Sequence, residues 1–193
     1  MRSTGRIRII GGRLRGLRLP VPPVPGLRPS PDRLRETLFN WLMPVLPGAA
    51  VLDPFAGTGA LVLEALSRGA EEGLACERHP LLCRALSEQI ERVRPARLRV
   101  RCGDALEFLD AEPPRRFHLA FLDPPFDRAL WESAARLLES RGWLDDEAWI
   151  YIESPPRLEL ALPPSWRLWR TSRAGEALGR LYRRLSAPLP DAP

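Results

Sequence analysis

Four acidic residues stand where short apolar runs give way to turns: Asp53 in "AAVLDPFAGTG", Glu77 in "GLACER", Asp104 in "RVRCGDA" and Asp123 in "HLAFLDPPF". Runs of this length and composition read as buried strands, so each acid marks a strand end. After Asp53 come Gly57 and Gly59, which let the backbone turn tightly and approach a ligand with no Cβ in the way. A dinucleotide fingerprint would place a third glycine where this chain has Val62. Asp53 would also repel a pyrophosphate; it suits a cationic ligand. Glu77 stands where a carboxylate accepts both hydroxyls of a ribose, and Asp104 where it accepts from an adenine amino group. With Phe55, Arg78 and Ala105 beside them, these residues outline a nucleoside that carries positive charge. S-adenosylmethionine has the ribose, adenine, ammonium and sulfonium that this outline asks for.

The fourth strand end, Asp123-Pro124-Pro125-Phe126, would then lie beside the reactive methyl. An exocyclic amino nitrogen of a base is a poor nucleophile because its lone pair is delocalised into the ring. Two acceptors for its N–H groups, the Asp123 carboxylate and the Pro124 carbonyl, would orient it for in-line attack. Prolines lock φ and hold that carbonyl in place, and Phe126 offers a flat face for an extruded base. No strong base is needed, since the sulfonium drives transfer and the proton can leave to Asp123 or water. Placement of the two reactants supplies most of the rate, ~7–11 kcal/mol.

The elements that must hold these residues alternate. From residue 49 onward, apolar strand runs are followed by helical patterns such as "GALVLEALSRG", ended by Gly69, and "PLLCRALSEQIERV". Repeated βα units imply an α/β fold with a parallel sheet and helices on both faces. The runs "SWRLWRTSR" and "EALGRLYRRL", on either side of Ala174-Gly175, read as a closing antiparallel pair. Upstream, "RIRII-GG-RLRGLRL" reads as a hairpin turning at Gly11-Gly12 with an arginine-studded face. "PVPPVPG" is a stiff connector, and Ser30 is an N-cap candidate with Pro31 at the first helical position. Three segments follow: residues 1–28 as a basic arm and connector, 29–186 as the catalytic domain, and 187–193 as a frayed tail.

All 29 basic residues of the 193 are arginine. Residues 1–35 hold nine of them against Asp32 alone, while the rest of the chain is mildly acidic. Such crowding points to a polyanion gripped at one end, with Arg6, Arg8, Arg13, Arg15 and Arg18 as the RNA-binding candidates. No apolar run approaches the ~20 residues that span a bilayer, and the N-terminus lacks a signal core, so cytoplasm is the expected compartment. Cys76, Cys83 and Cys102 have no metal-ligand spacing and read as buried reduced thiols. His79 and His118 sit in no nucleophile motif, which leaves hydrolase chemistry unsupported. Nothing points to an obligate dimer, so a monomer is expected.

"DPFAGTG" with "DPPF" resembles class I, Rossmann-like methyltransferases acting on exocyclic amino groups. "RIIGGRLRGLRLPVP" and "GLRPSPDRLRETLFNWL" narrow the likeness to the RsmD family, bacterial enzymes that methylate N2 of the guanine at position 966 of 16S rRNA. The resemblance runs from about Arg8 to Arg184. It implies a mostly parallel seven-stranded sheet with an antiparallel C-terminal strand, S-adenosyl-L-methionine as donor, S-adenosyl-L-homocysteine as product, and a 30S subunit or assembly intermediate as substrate. By position it places Asp53, Gly57, Gly59, Glu77 and Asp104 in the cofactor motifs and Asp123, Pro124, Pro125 and Phe126 in the target-base motif. Family members usually carry a lysine near the last hairpin turn, where this chain has Ser172 and Arg173, and some carry an aromatic where it has Gly179. Three alternatives stay open: adenine N6 as the acceptor, a glutamine amide in a release factor, or a non-catalytic ribosome-assembly protein with a relic pocket.

Overall fold

The structure is a computed structural model, and it describes residues 5–24, 30–93 and 97–185. The 187–193 tail and the end of the proline connector lie outside the described residues. Strands β3 (Ala50–Asp53), β4 (Glu72–Glu77), β5 (Leu98–Cys102), β6 (Phe117–Leu122), β7 (Leu144–Ser154), β8 (Trp166–Ala174) and β9 (Ala177–Arg184) form one sheet in the order β5-β4-β3-β6-β7-β9-β8. Neighbours from β5 to β7 run parallel, and β9 alone runs against the rest. This is the α/β, Rossmann-like sheet expected from the alternating pattern.

Helices cover both faces. α1 (Asp32–Leu42), α2 (Ala60–Ser67) and α3 (Pro80–Val93) pack on one side around Leu38, Phe39, Val62 and Leu86. α4 (Ala105–Asp110) and α5 (Trp131–Ser140) pack on the other around Leu109, Trp131 and Leu138. All four β3 residues are buried, as a strand covered on both faces must be. Sequence order reverses between β3 and β6, which pair with each other while their successors diverge. The two chains leaving that point open a crevice at their carboxyl ends, the general ligand position of open α/β sheets.

Three local readings need correction. The arm is a hairpin, but its strands are only β1 (Arg6–Arg8) and β2 (Arg18–Pro20), paired Ile7 to Leu19. Gly11-Gly12 is therefore no two-residue turn. The intervening loop lies on α2 instead: the N–H groups of Ile10 and Gly11 donate to the Glu64 carboxylate at 2.7 and 2.8 Å, and Leu14 N–H to the Ser67 hydroxyl at 2.8 Å. Gly12 has φ +74°, and a Cβ there would sit 1.9 Å from the Ser67 carbonyl oxygen. The glycines serve close docking of backbone on helix rather than a tight reversal. Ile7, Ile9 and Leu19 join the same core as α1 and α2, so the arm is packed on the domain.

The second correction concerns Ser30. Helix α1 begins at Asp32 without a side-chain cap, and the Ser30 hydroxyl is used elsewhere, as described below. The third concerns the cysteines. Cys76 is a buried free thiol, its pKa pushed up to about 12 by burial and the nearby Glu77 charge. Cys83 and Cys102, by contrast, form a disulfide between α3 and the end of β5, with Cα atoms 5.9 Å apart. Their separation of 19 residues hid a contact that only the packing of α3 on β5 creates.

Candidate functional site

The crevice at the strand reversal is a cleft of about 960 Å³. Asp53, at the end of β3, is 1% exposed and does not itself line the cleft, whose wall begins with its neighbours Pro54 and Phe55; neither of its carboxylate oxygens has a hydrogen-bond partner within strict geometry among the described residues. Burial first, and the Glu77 charge second, raise its pKa to about 7, with the Phe55 and Val62 backbone holding it back in part. A buried carboxyl held only by the weak pull of the Phe55 and Val62 N–H groups is costly. Its natural complement is a cation brought by a ligand.

The glycine loop shapes the mouth beside it. Gly57 and Gly59 both take positive φ, +53° and +77°, and Gly59 stands immediately before the first residue of α2. A side chain at Gly59 would meet Leu86 of α3 at 2.4 Å, so the glycine also lets α3 close against the loop. Glu77, at the end of β4, locks the loop: its carboxylate accepts from Gly57 N–H at 2.8 Å and from His79 N–H at 2.6 Å. A carboxylate has about four lone-pair positions, so two remain for incoming hydroxyls. Asp104 ends β5 and caps α4, its Oδ1 accepting from Leu106 N–H at 2.8 Å, a helix-capping role that the sequence reading did not assign. Its Oδ2 is left available. Phe55, Gly57, Arg78, Asp104 and Ala105 all line the cleft.

Asp123 and its successors line the same cleft. The Ser30 hydroxyl donates to Asp123 Oδ2 at 3.1 Å, tying the start of α1 to the end of β6. Asp123 keeps partial exposure into the cleft, yet burial of its carboxylate and then the Glu153 charge raise its pKa well above the ordinary carboxylate range, against the pull of the Ser30 hydrogen bond. Phe126 leans on Trp131, ring centroids 5.8 Å apart, and remains 38% exposed. The ring is thus braced at a tilt against Trp131 while part of it stays open to the cleft.

Sequence reasoning missed Glu153. It ends β7, the strand beside β6, and is 3% exposed. Tyr151 donates its hydroxyl to Glu153 Oε2 at 3.1 Å, and Trp131 donates its indole N–H to the Glu153 carbonyl at 2.7 Å. Burial raises the Glu153 pKa, while Ser30, Tyr151 and Arg35 oppose the rise. Two carboxyls that face one serine at the cleft floor each disfavour ionisation of the other. The signal was present: "IYIES" carries an acid one residue before its end, much as the four other strand runs close on one.

The family model described as conserved hypothetical protein 95 matches residues 7–183. The chain belongs to this family. It is 47% identical over 183 residues to "Ribosomal RNA small subunit methyltransferase D" of Escherichia coli K12, covering 94% of this chain and 92% of that one. The protein of the same name from Haemophilus influenzae is 38% identical, with 93% and 95% covered. Among solved structures, yhhF of E. coli matches with a TM-score of 0.86 and 44% identity over 95% of this chain and all of that one. An RNA methyltransferase from Salinibacter ruber, solved with S-adenosyl-L-homocysteine, shares the fold at a TM-score of 0.63 and 15% identity, over 86% and 98% of the two chains.

The departures from the family pattern have local explanations. A Cβ at Gly179 would lie 2.6 Å from the Tyr151 hydroxyl, so Tyr151 already fills the space an aromatic would take. Near the last turn, Arg173 folds back, its Nε donating to the Gly175 carbonyl at 3.1 Å. That turn, Ala174 to Ala177, forms part of the cleft wall. The five candidate arginines of the arm are all exposed, and they stand on a segment anchored through α2 rather than at the cleft itself.

Proposed function

We propose that this chain transfers a methyl group from S-adenosyl-L-methionine to the exocyclic N2 of guanine 966 in 16S rRNA, acting as a cytoplasmic monomer on the 30S subunit or an assembly intermediate. One observation carries the reading: the Phe55–Thr58 loop and the Glu77 carboxylate share one cleft with the Asp123–Phe126 turn, with the buried Asp53 carboxylate directly before that loop in the chain. The residues fit the cofactor. Asp53 would face its positive charge, Glu77 the ribose hydroxyls and Asp104 the adenine amino group. When bound, the cofactor supplies an electrophilic methyl. Asp123 and the Pro124 carbonyl accept the N–H groups of the target amine and orient its lone pair, while Phe126 stacks the extruded base. Guanine presents two donors on one edge, N2–H and N1–H, and Asp123 and Glu153 are two acceptors on one cleft floor. That pairing favours guanine over adenine, whose N6 edge offers a donor next to a ring acceptor. The proton released from the amine passes to the Asp123–Glu153 pair or to water. The domain division at residue 29 is part of the same proposal, the arm serving RNA and the remainder serving transfer.

The test uses tritiated S-adenosylmethionine with 30S particles from cells lacking this gene, followed by nucleoside analysis. Label in N2-methylguanosine at one site supports the reading. Label in N6-methyladenosine overturns the substrate, and no label despite measured cofactor binding favours an assembly role.

A further inference from the structure

Strand β8 carries one residue more than its neighbour can match. Leu168 lies opposite Tyr182 and Arg170 opposite Leu181, so Trp169 is the extra residue of a β-bulge. Bulges re-aim side chains. This one puts the Trp169 ring edge-on to Trp149 of β7, centroids 5.0 Å apart. The Arg170 guanidinium lies over the Trp169 ring at 4.1 Å and reaches the Trp41 ring of α1 at 6.0 Å. Arg183 lies over Trp149 at 5.7 Å, and Arg167 shares its row across the sheet. Three indoles and their guanidinium partners thus form one layered patch on the α1 side, with Trp169 44% exposed.

An edge strand needs protection against pairing with another chain, and a bulge with arginines supplies it. Protection does not call for an indole turned outward, which invites association. The charge indicates what associates. Residues 166–184 hold six arginines against Glu176 alone. Arg183 and Arg184 are paired with Glu147 and Glu139, whereas Arg167 and Arg170 reach no carboxylate among the described residues. Exposed aromatic faces interleaved with unneutralised arginine suit unpaired nucleotides, because every base has a face to stack and every link a phosphate.

We propose that the Trp169–Arg170 face binds an unpaired stretch of RNA, one base stacking on the Trp169 indole and the adjoining phosphates meeting Arg170 and Arg167. The inference rests on the reading that the substrate is RNA and adds a second RNA surface away from the cleft. Trp169 stands five residues back from the Ala174 turn, roughly 16 Å along the strand. Helix α1 touches both RNA surfaces, through Arg35 to the Arg8 carbonyl at 3.1 Å and through Trp41 to Arg170.

The test measures anisotropy of a fluorescein-labelled, mixed-sequence, twelve-nucleotide RNA, single-stranded and as a duplex, against the full chain and its W169A, W169F and R170A variants. W169A is expected to weaken single-strand binding about five- to hundred-fold, ~1–3 kcal/mol, with an unchanged salt slope and little effect on the duplex. W169F should retain most of the affinity, and R170A should make the salt slope shallower by ~0.7. A folded W169A that binds the single strand like wild type overturns the proposal. So does a W169A defect confined to association with RNA-free ribosomal proteins, since the face would then belong to a protein. The two readings fail separately: Trp169-dependent RNA binding without methyl transfer keeps this surface and removes the catalytic reading, whereas transfer to 30S particles with Trp169-independent binding does the reverse.

Discussion

If Asp53 faces the cofactor's charge as proposed, cofactor binding should depend on pH with a slope fixed by its pKa. Its pKa of about 7 without ligand means that it is about half ionised at pH 7, about nine-tenths at pH 8 and about one-tenth at pH 6. A cationic ligand binds the ionised form, so affinity for S-adenosyl-L-homocysteine, whose ammonium persists across this range, should fall roughly tenfold from pH 8 to pH 6. Calorimetry in buffers of different ionisation enthalpy should register nearly one proton released per ligand at pH 6 and about a tenth of one at pH 8. Asp53→Asn should bind more weakly at pH 8 and show a flat profile. Stability runs the other way. The folded pKa lies above the unfolded value of 3.8, so the stabilising contribution is fully present below about pH 4 and is lost as pH rises through 7. About three pKa units correspond to on the order of 4 kcal/mol. Ligand-free Asp53→Asn should therefore be more stable than wild type at pH 8, with the difference shrinking towards zero near pH 4. A wild-type affinity independent of pH, with no proton release, would refute the assignment of Asp53 as the unpartnered acceptor for the ligand's charge.

Asp123→Ala should lower turnover ~10²–10⁴-fold while cofactor affinity, measured by calorimetry, stays within a few-fold; equal loss of both would place Asp123 in the cofactor site instead. Glu153→Gln keeps the shape of the cleft floor but removes one of two coupled acids, so the pH–rate profile should lose one limb, whereas an unaltered profile would confine Glu153 to a packing role. Replacing Arg6, Arg8, Arg13 and Arg15 with glutamine should weaken RNA binding and flatten its dependence on salt by ~0.7–0.9 for each phosphate no longer neutralised; an unchanged slope removes the arm from the interface. Glu64→Ala leaves the buried Arg35 with Asp32, at 2.6 Å, but without the buried acid 3.7 Å away, strips Arg68 of its partner and frees two arm amides. A loss of ~3–5 kcal/mol in chemical denaturation and faster proteolysis at residues 9–17 are the expected outcomes.

Local chemistry made much of this legible. Asp53, Gly57 and Gly59 sit within seven residues, and a glycine loop after an apolar run is a signal contained in the chain itself. The turn at Asp123 to Phe126 is legible for the same reason, since two prolines after a buried run have few other uses. What escaped was whatever two distant segments make together. Ser30 looked like a helix cap because capping is local, and its bond to Asp123 spans 93 residues. Glu153 became a neighbour of Asp123 only through the β6–β7 pairing. Gly11-Gly12 passed for a turn because the competing partner, Glu64, lies more than fifty residues away. The bulge at Trp169 is equally invisible, since nothing in "RLWRT" announces where the register slips.

The order β7-β9-β8 has a consequence for how the molecule is made. β7 and β8 precede β9 in the chain but do not touch; β8 finds its partner, and β7 its second neighbour beside β6, only when β9 has been made. Until residues 177–184 have cleared the ribosome that is translating them, β7 presents an open edge, and Tyr151 lacks the Gly179 backbone that covers it. At ~5–20 residues per second this exposure is brief, but it delays completion of the Glu153 side of the cleft until β9 has emerged. By the same logic, a chain cut before Ala177 would lose the middle of the β7-β9-β8 half-sheet rather than its edge.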